Sequence, residues 1–125
     1  MLTKLMKDHI VVQSPFCGEI REVLIGSEYS PNVALAMDIR PTTAHYHKGF
    51  DEVYFLLDGS VVLQLHNPKS GETSEQALAA NELCVISKGI HHKVSSSSAR
   101  NRLCVITMPR FDPSDEHFSE VLSAH

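Results

Sequence analysis

His45-Tyr46-His47 is the segment of this chain best suited to chemistry. In an extended backbone, residues two apart point to the same side, so both imidazoles can reach one ion. Glu52 lies beyond Lys48-Gly49, where a turn or bulge can restore the same face. His92 comes much later, just after Lys88-Gly89. Three neutral imidazoles and one carboxylate suit a divalent transition metal such as Fe, Mn, Co, Ni, Cu or Zn. Four protein ligands leave open positions on an octahedral ion, which a catalytic ion needs and a structural one does not. The plain alternative is a surface loop that happens to carry two histidines. His-x-His alone does not separate the two; the spacing to Glu52, Gly59 and His92 favours the metal.

Composition bounds the rest. The chain has 125 residues, enough for one domain, taken as 1–125. Its net charge of -4 excludes a strongly basic nucleic-acid binder. With 42% hydrophobic and 21% charged residues it is globular rather than disordered. The apolar runs are too short to span a bilayer, and Met1 to His9 lacks the apolar stretch of a signal peptide. No membrane partner is expected. Cys17, Cys84 and Cys104 are odd in number, and the last two sit inside apolar runs. Buried reduced thiols and a reducing cytoplasm are the natural reading.

The elements that must position these residues are short strands. Val33 to Ile39 alternates, with Val33, Leu35, Met37 and Ile39 on one face and Ala34, Ala36, Asp38 and Arg40 on the other. Asp38 and Arg40, sharing a face, can form an ion pair. Glu52 to Leu57 runs into Asp58-Gly59, a hairpin signal. Ser60 to His66 alternates again and reaches a second turn at Asn67 to Gly71. Further strands are expected at 9–13, 19–25, 73–78, 83–87, 92–95 and 102–108, with a turn at Ala80-Asn81-Glu82. Ser95 to Ser98 reads as an exposed polar connection. Many short strands at this spacing predict an antiparallel sandwich or barrel over 9–108. Residues 1–8 form an N-terminal segment. Asp112-Pro113 looks like a helix start, predicting a short C-terminal helix over 112–123 with Phe118, Val121 and Leu122 on one side.

The chain resembles the cupin family. The first cupin motif reads His-x-His, a spacer, Glu, a second spacer, Gly; here these are His45, His47, Glu52 and Gly59. The second motif reads here as Asn81, Ser87-Lys88-Gly89 and His92. Ile39 and Asn81 stand where the family usually has Gly, Ser87 where it has Pro, and Ser96 where an Asn often follows. The resemblance implies an all-β antiparallel double-stranded β-helix, or jelly-roll barrel. The metal would lie inside it on His45, His47, Glu52 and His92. It also implies a homodimer.

If Glu52 points inward, period two sends Tyr54 inward too, either to hydrogen-bond a substrate or as a buried tyrosine with a structural partner. Arg40 is the best nearby candidate for holding a substrate carboxylate or phosphate. His91 should face away from the ion, while His66 and Gln64 are undecided between lumen and surface. His9, His117 and His125 read as solvated. The expected function is a metal-dependent enzyme of dioxygenase, isomerase or lyase type acting on a small polar or anionic molecule. The alternative is a non-catalytic small-molecule binding or sensing module.

Overall fold

The computed structural model describes residues 10–14, 18–24 and 30–123. Within these, eleven strands precede one short helix. They are β1 (Ile10–Ser14), β2 (Gly18–Leu24), β3 (Asn32–Met37), β4 (His45–Tyr46), β5 (Asp51–Asp58), β6 (Ser60–Asn67), β7 (Glu72–Ala79), β8 (Leu83–Ile86), β9 (His91–Ser97), β10 (Arg102–Met108) and β11 (His117–Phe118), followed by α1 (Glu120–Ser123). They build two antiparallel sheets, one ordered β1-β2-β3-β10-β5-β8 and the other β11-β4-β9-β6-β7. No described helix is long and apolar enough to cross a membrane.

The inner faces meet in one core of Ala36, Ile39, Tyr54, Leu56, Val61, Leu63, Leu78, Ile86, Val94 and Leu103. Cross-strand register sorts the inner wall of the six-stranded sheet into rows. Leu103 pairs with Leu56 and Ala36, and Val105 with Tyr54 and Ala34. Thr107 pairs with Glu52 and Asn32. The interior is therefore apolar at one end and polar at the other. On the facing sheet the row of His45, His92 and Leu65 lies at the polar end.

Several expectations change. Asp58-Gly59 is not a hairpin, because β5 pairs with β10 and β8 while β6 pairs with β7 and β9. The turn instead carries the chain from one sheet to the other. Only Gly59 takes positive φ there (+85), and a Cβ on it would lie 2.5 Å from the Arg100 carbonyl. The Asn67–Gly71 hairpin and the turn at Asn81 (φ 72) form as expected. Asn81 fills the glycine position because it tolerates the left-handed region. In β3 the buried face is Asn32, Ala34 and Ala36, with the larger residues outward. Asp38 at φ 51 then shifts the phase, so Ile39 is buried. Ser95 to Ser97 continue β9 rather than forming a loop. Ser98 Oγ accepts from Ser60 N and donates to Arg100 O.

The C-terminal helix is shorter than 112–123. Asp112 to Ser114 form a turn closed by Asp115 N donating to Asp112 O, and β11 pairs with β4 before the helix begins. Leu122 is fully buried, but Phe118 is 57% exposed. The Asp-Pro start signal acts only locally: the Asp112 carboxylate caps Ser114 instead of a helix. Cys84 and Cys104 are free thiols, half-buried rather than buried, and burial raises both above the usual thiol range. Cys17 and the N-terminal segment lie outside the described residues.

Candidate metal centre

His45 and His47 lie on and just past β4, Glu52 on β5 and His92 on β9. All four are nearly fully buried. One potential ligand nitrogen from each of the three imidazoles lies within 4.8 Å of the others. Ring centroids are 4.4 Å apart for His45 and His92, and 5.1 Å for His45 and His47. Glu52 reaches in from the opposite sheet, with Oε1 2.8 Å from His47 Nε2 and Oε2 3.7 Å from His92 Nε2.

Main-chain carbonyls fix the three rings. His45 Nδ1 donates to Thr43 O (2.8 Å), His47 Nδ1 to Asp115 O (2.6 Å) and His92 Nδ1 to Ile90 O (3.0 Å). A carbonyl only accepts, so each Nδ1 carries a proton, and a ring that is neutral has its lone pair at Nε2. That is the tautomer of a metal-binding histidine with a second partner holding its other nitrogen. His47 Nε2, His92 Nε2 and Glu52 Oε2 are buried with no hydrogen-bond partner in the protein. His47 Nε2 faces Glu52 Oε1 at 2.8 Å; it presents a lone pair there in the neutral ring and a proton in the charged one, which Glu52 favours. Lone pairs gathered in this way are costly unless a proton or a metal ion sits among them. The donor set therefore fits a divalent transition metal.

Electrostatics set His47 apart from the other two rings. Burial, helped by the neighbouring His92, pushes His45 down to about 3, so it stays neutral. Burial also lowers His92. Burial opposes charge on His47, but the adjacent Glu52 more than offsets it and raises the imidazole. Burial alone would raise Glu52; His47 and His92 hold it below the usual carboxylate range.

The motif's second loop survives the loss of proline. Gly89 takes φ +82, Ile90 N donates to Ser87 O, and Gly89 N donates to His47 O at 2.7 Å. Lys88 N donates to the Asp51 carboxylate. These bonds fix the approach to His92 without a rigid ring at Ser87.

Tyr54 is buried, its ring edge-on to His92 at 6.0 Å between centroids. Arg40 is exposed, outside the buried cluster, and Asp38 pairs with Arg100 instead. His91 faces outward, stacked on Tyr46 at 4.1 Å and bonded to Ser119 Oγ. His66 lies beside it, bonded to Thr73, and Gln64 lies on the same outer side beside Glu75. His117 is partly buried and bonded to Asp115 rather than solvated; His9 and His125 lie outside the described residues.

Sequence reasoning missed the segment that closes over the site. The Asp115 carboxylate accepts from Lys48 N and Gly49 N, while its carbonyl holds His47. Phe111 packs edge-on to Phe50, which stacks on His47 at 4.3 Å. Glu116 is next in the chain, close enough for its charge to act on His47, and burial raises its carboxyl. Nothing local in Asp112 to His117 signals this contact, which spans nearly seventy residues.

No family model matches the chain, and no curated protein matches it by sequence. Solved structures do. A protein from Planctomyces limnophilus is similar over 94% of this chain and 96% of its own, at 22% identity and a TM-score of 0.72. A Streptomyces PAC13 variant with uridine is similar over 96% and 92%, at 14% identity and 0.71. Oxalate decarboxylase from Bacillus subtilis is similar over all of this chain, at 13% identity and 0.77. This chain spans about a third of that enzyme (34%). The architecture they share is the cupin fold, and this chain is a small cupin-fold protein with a buried three-histidine cluster.

Proposed function

We propose that the chain is a metal-dependent enzyme of dioxygenase, isomerase or lyase type, acting on a small polar or anionic molecule as a cytoplasmic homodimer. The observation that carries this reading is the buried set of three imidazoles held by main-chain carbonyls and gathered within ligand distance of one another, with Glu52 beside His47 and His92. His45, His47, Glu52 and His92 would hold the ion. When bound, it supplies Lewis-acid or redox chemistry. Around it, Phe50 and Phe111 keep water from one side of His47. Tyr54, buried edge-on to His92, would donate a proton or a hydrogen bond to the substrate. Arg40, being exposed, is given no role. The uridine bound to one structural neighbour and the oxalate that another decarboxylates support a small oxygen-rich ligand in this fold.

The test is turnover by protein loaded separately with Fe(II), Mn, Ni or Zn, across diketones, thiols, phenols and sugar phosphates. Oxygen uptake is followed for iron and product formation for the others. Turnover of at least one class, abolished in Glu52→Ala, is expected. Tight binding without turnover under every metal would identify a binding or sensing module instead.

A further inference from the structure

Thr107 is buried on the inner wall (3% exposed), and its hydroxyl has no partner among the protein atoms. It stands directly opposite Glu52 on one side and Asn32 on the other. Directly paired residues project to the same face about 5 Å apart, so Asn32, Thr107 and Glu52 make one polar row on the lumen wall. Asn32 is also buried. A buried hydroxyl without a partner costs free energy that valine, of the same shape, would not. Its place beside the imidazole cluster points to a ligand that supplies the missing bond.

Charge narrows that ligand. The carboxyl within the cluster is Glu52, and Glu116 acts on His47 from nearby. Among the described residues no lysine or arginine turns into the lumen. Lys93 reaches Leu122 O, Arg21 pairs with Glu19, and the others are exposed. A divalent ion on Glu52 would carry about one net positive charge, and no side-chain cation stands beside it to pair with a polyanion.

We infer that Thr107, with Asn32 beside it, is a substrate-binding position of this lumen. The substrate class it selects is a hydroxyl- or carbonyl-bearing molecule with no more than one negative charge. The inference rests on the proposed metal site and narrows its substrate. One hydroxyl can donate one hydrogen bond and accept two, which suits a hydroxy-carbonyl group.

The test uses the full chain loaded with Co(II), whose visible spectrum reports ligands near the ion. Hydroxyacetone is the neutral probe and oxalate the anionic one. Hydroxyacetone is expected to shift the wild-type spectrum. Thr107→Val should weaken its binding roughly 3- to 10-fold, the loss of one hydrogen bond, and Thr107→Ser should restore it. Oxalate should bind the wild type more weakly than hydroxyacetone does, with an affinity unchanged in Thr107→Val; tighter oxalate binding would overturn the substrate class. Metal-free Thr107→Val should melt at the same temperature as wild type or higher. Equal hydroxyacetone affinity in wild type and Thr107→Val, no hydroxyacetone binding to the cobalt protein, an equal loss for oxalate, or a lowered melting temperature would overturn the inference. Absence of a Co(II) spectrum in the wild type would remove the metal reading itself, and this is read before any titration.

Discussion

His47 holds its proton more tightly than an ordinary histidine. Burial opposes the charge, but Glu52 at 2.8 Å outweighs it. A divalent ion must displace that proton, because a metal ligand is a neutral imidazole. Metal affinity should rise about tenfold per pH unit while His47 is charged and then level off. Calorimetry in buffers of different ionisation enthalpy should show about one proton released per ion; binding with no release would contradict this. The metal-free protein should respond in the opposite sense. A raised folded-state value contributes stability that is fully present below the ordinary 6.5 and is lost as pH rises through the raised value. Denaturant melts of metal-free protein should therefore show this contribution fading above neutrality, and the metal-loaded protein should not show it. The four residues themselves are legible in the sequence because strand period and motif spacing put them on one face. Thr107 and Asn32 are not, since a lone hydroxyl or amide in an alternating strand carries no signal until register sets it beside Glu52. Arg40 lies near the motif in sequence, but its exposure removes it from the buried cluster.

At the scale of elements, the Asp58-Gly59 turn shows why local chemistry misleads. Asp-Gly favours a hairpin, but β5 and β6 belong to different sheets, and only long-range pairing decides that. Gly59 is required twice over, by its φ of +85 and by the Arg100 carbonyl against it. Gly59→Ala should cost about 2–4 kcal/mol in urea denaturation. Gly71→Ala, also at positive φ (+76) but with open space around it, should cost only about 1 kcal/mol. Equal losses would show that the close approach at Gly59 does not matter. The Asn101 side chain ties the end of β3 to the turn before β10. It accepts from Ile39 N and donates to Ile39 O and Ser98 O while fully buried. Nothing in the sequence singles it out, because its partners are distant in the chain. The same holds for the last strand: Asp112-Pro113 reads as a helix start, yet pairing with β4 claims residues 117–118 first.

For the whole molecule, the outer face of the six-stranded sheet is the place for the proposed dimer contact. Val33, Leu35 and Met37, Cys104 and Ile106, Val53, Phe55 and Leu57, and Leu83 and Val85 occupy its outward positions on four adjacent strands. Charges flank this patch: Arg102 pairs with Asp58, and Arg21 of β2, opposite Leu35, pairs with Glu19. A charge-depleted centre suits contact with a second copy of the same face. Leu83 and Val85 are more than half exposed. Val85→Asp should shift a dimer toward monomer in sedimentation experiments; a wild-type monomer at micromolar concentration would remove the proposed contact. The barrel behind this face is proposed to hold one ion at its polar end. Metal analysis of untagged protein tests that most directly. The wild type should carry about one divalent transition-metal ion per chain, and His47→Ala and Glu52→Ala should lose most of it while remaining folded. Metal content unchanged in both folded variants would contradict the assignment.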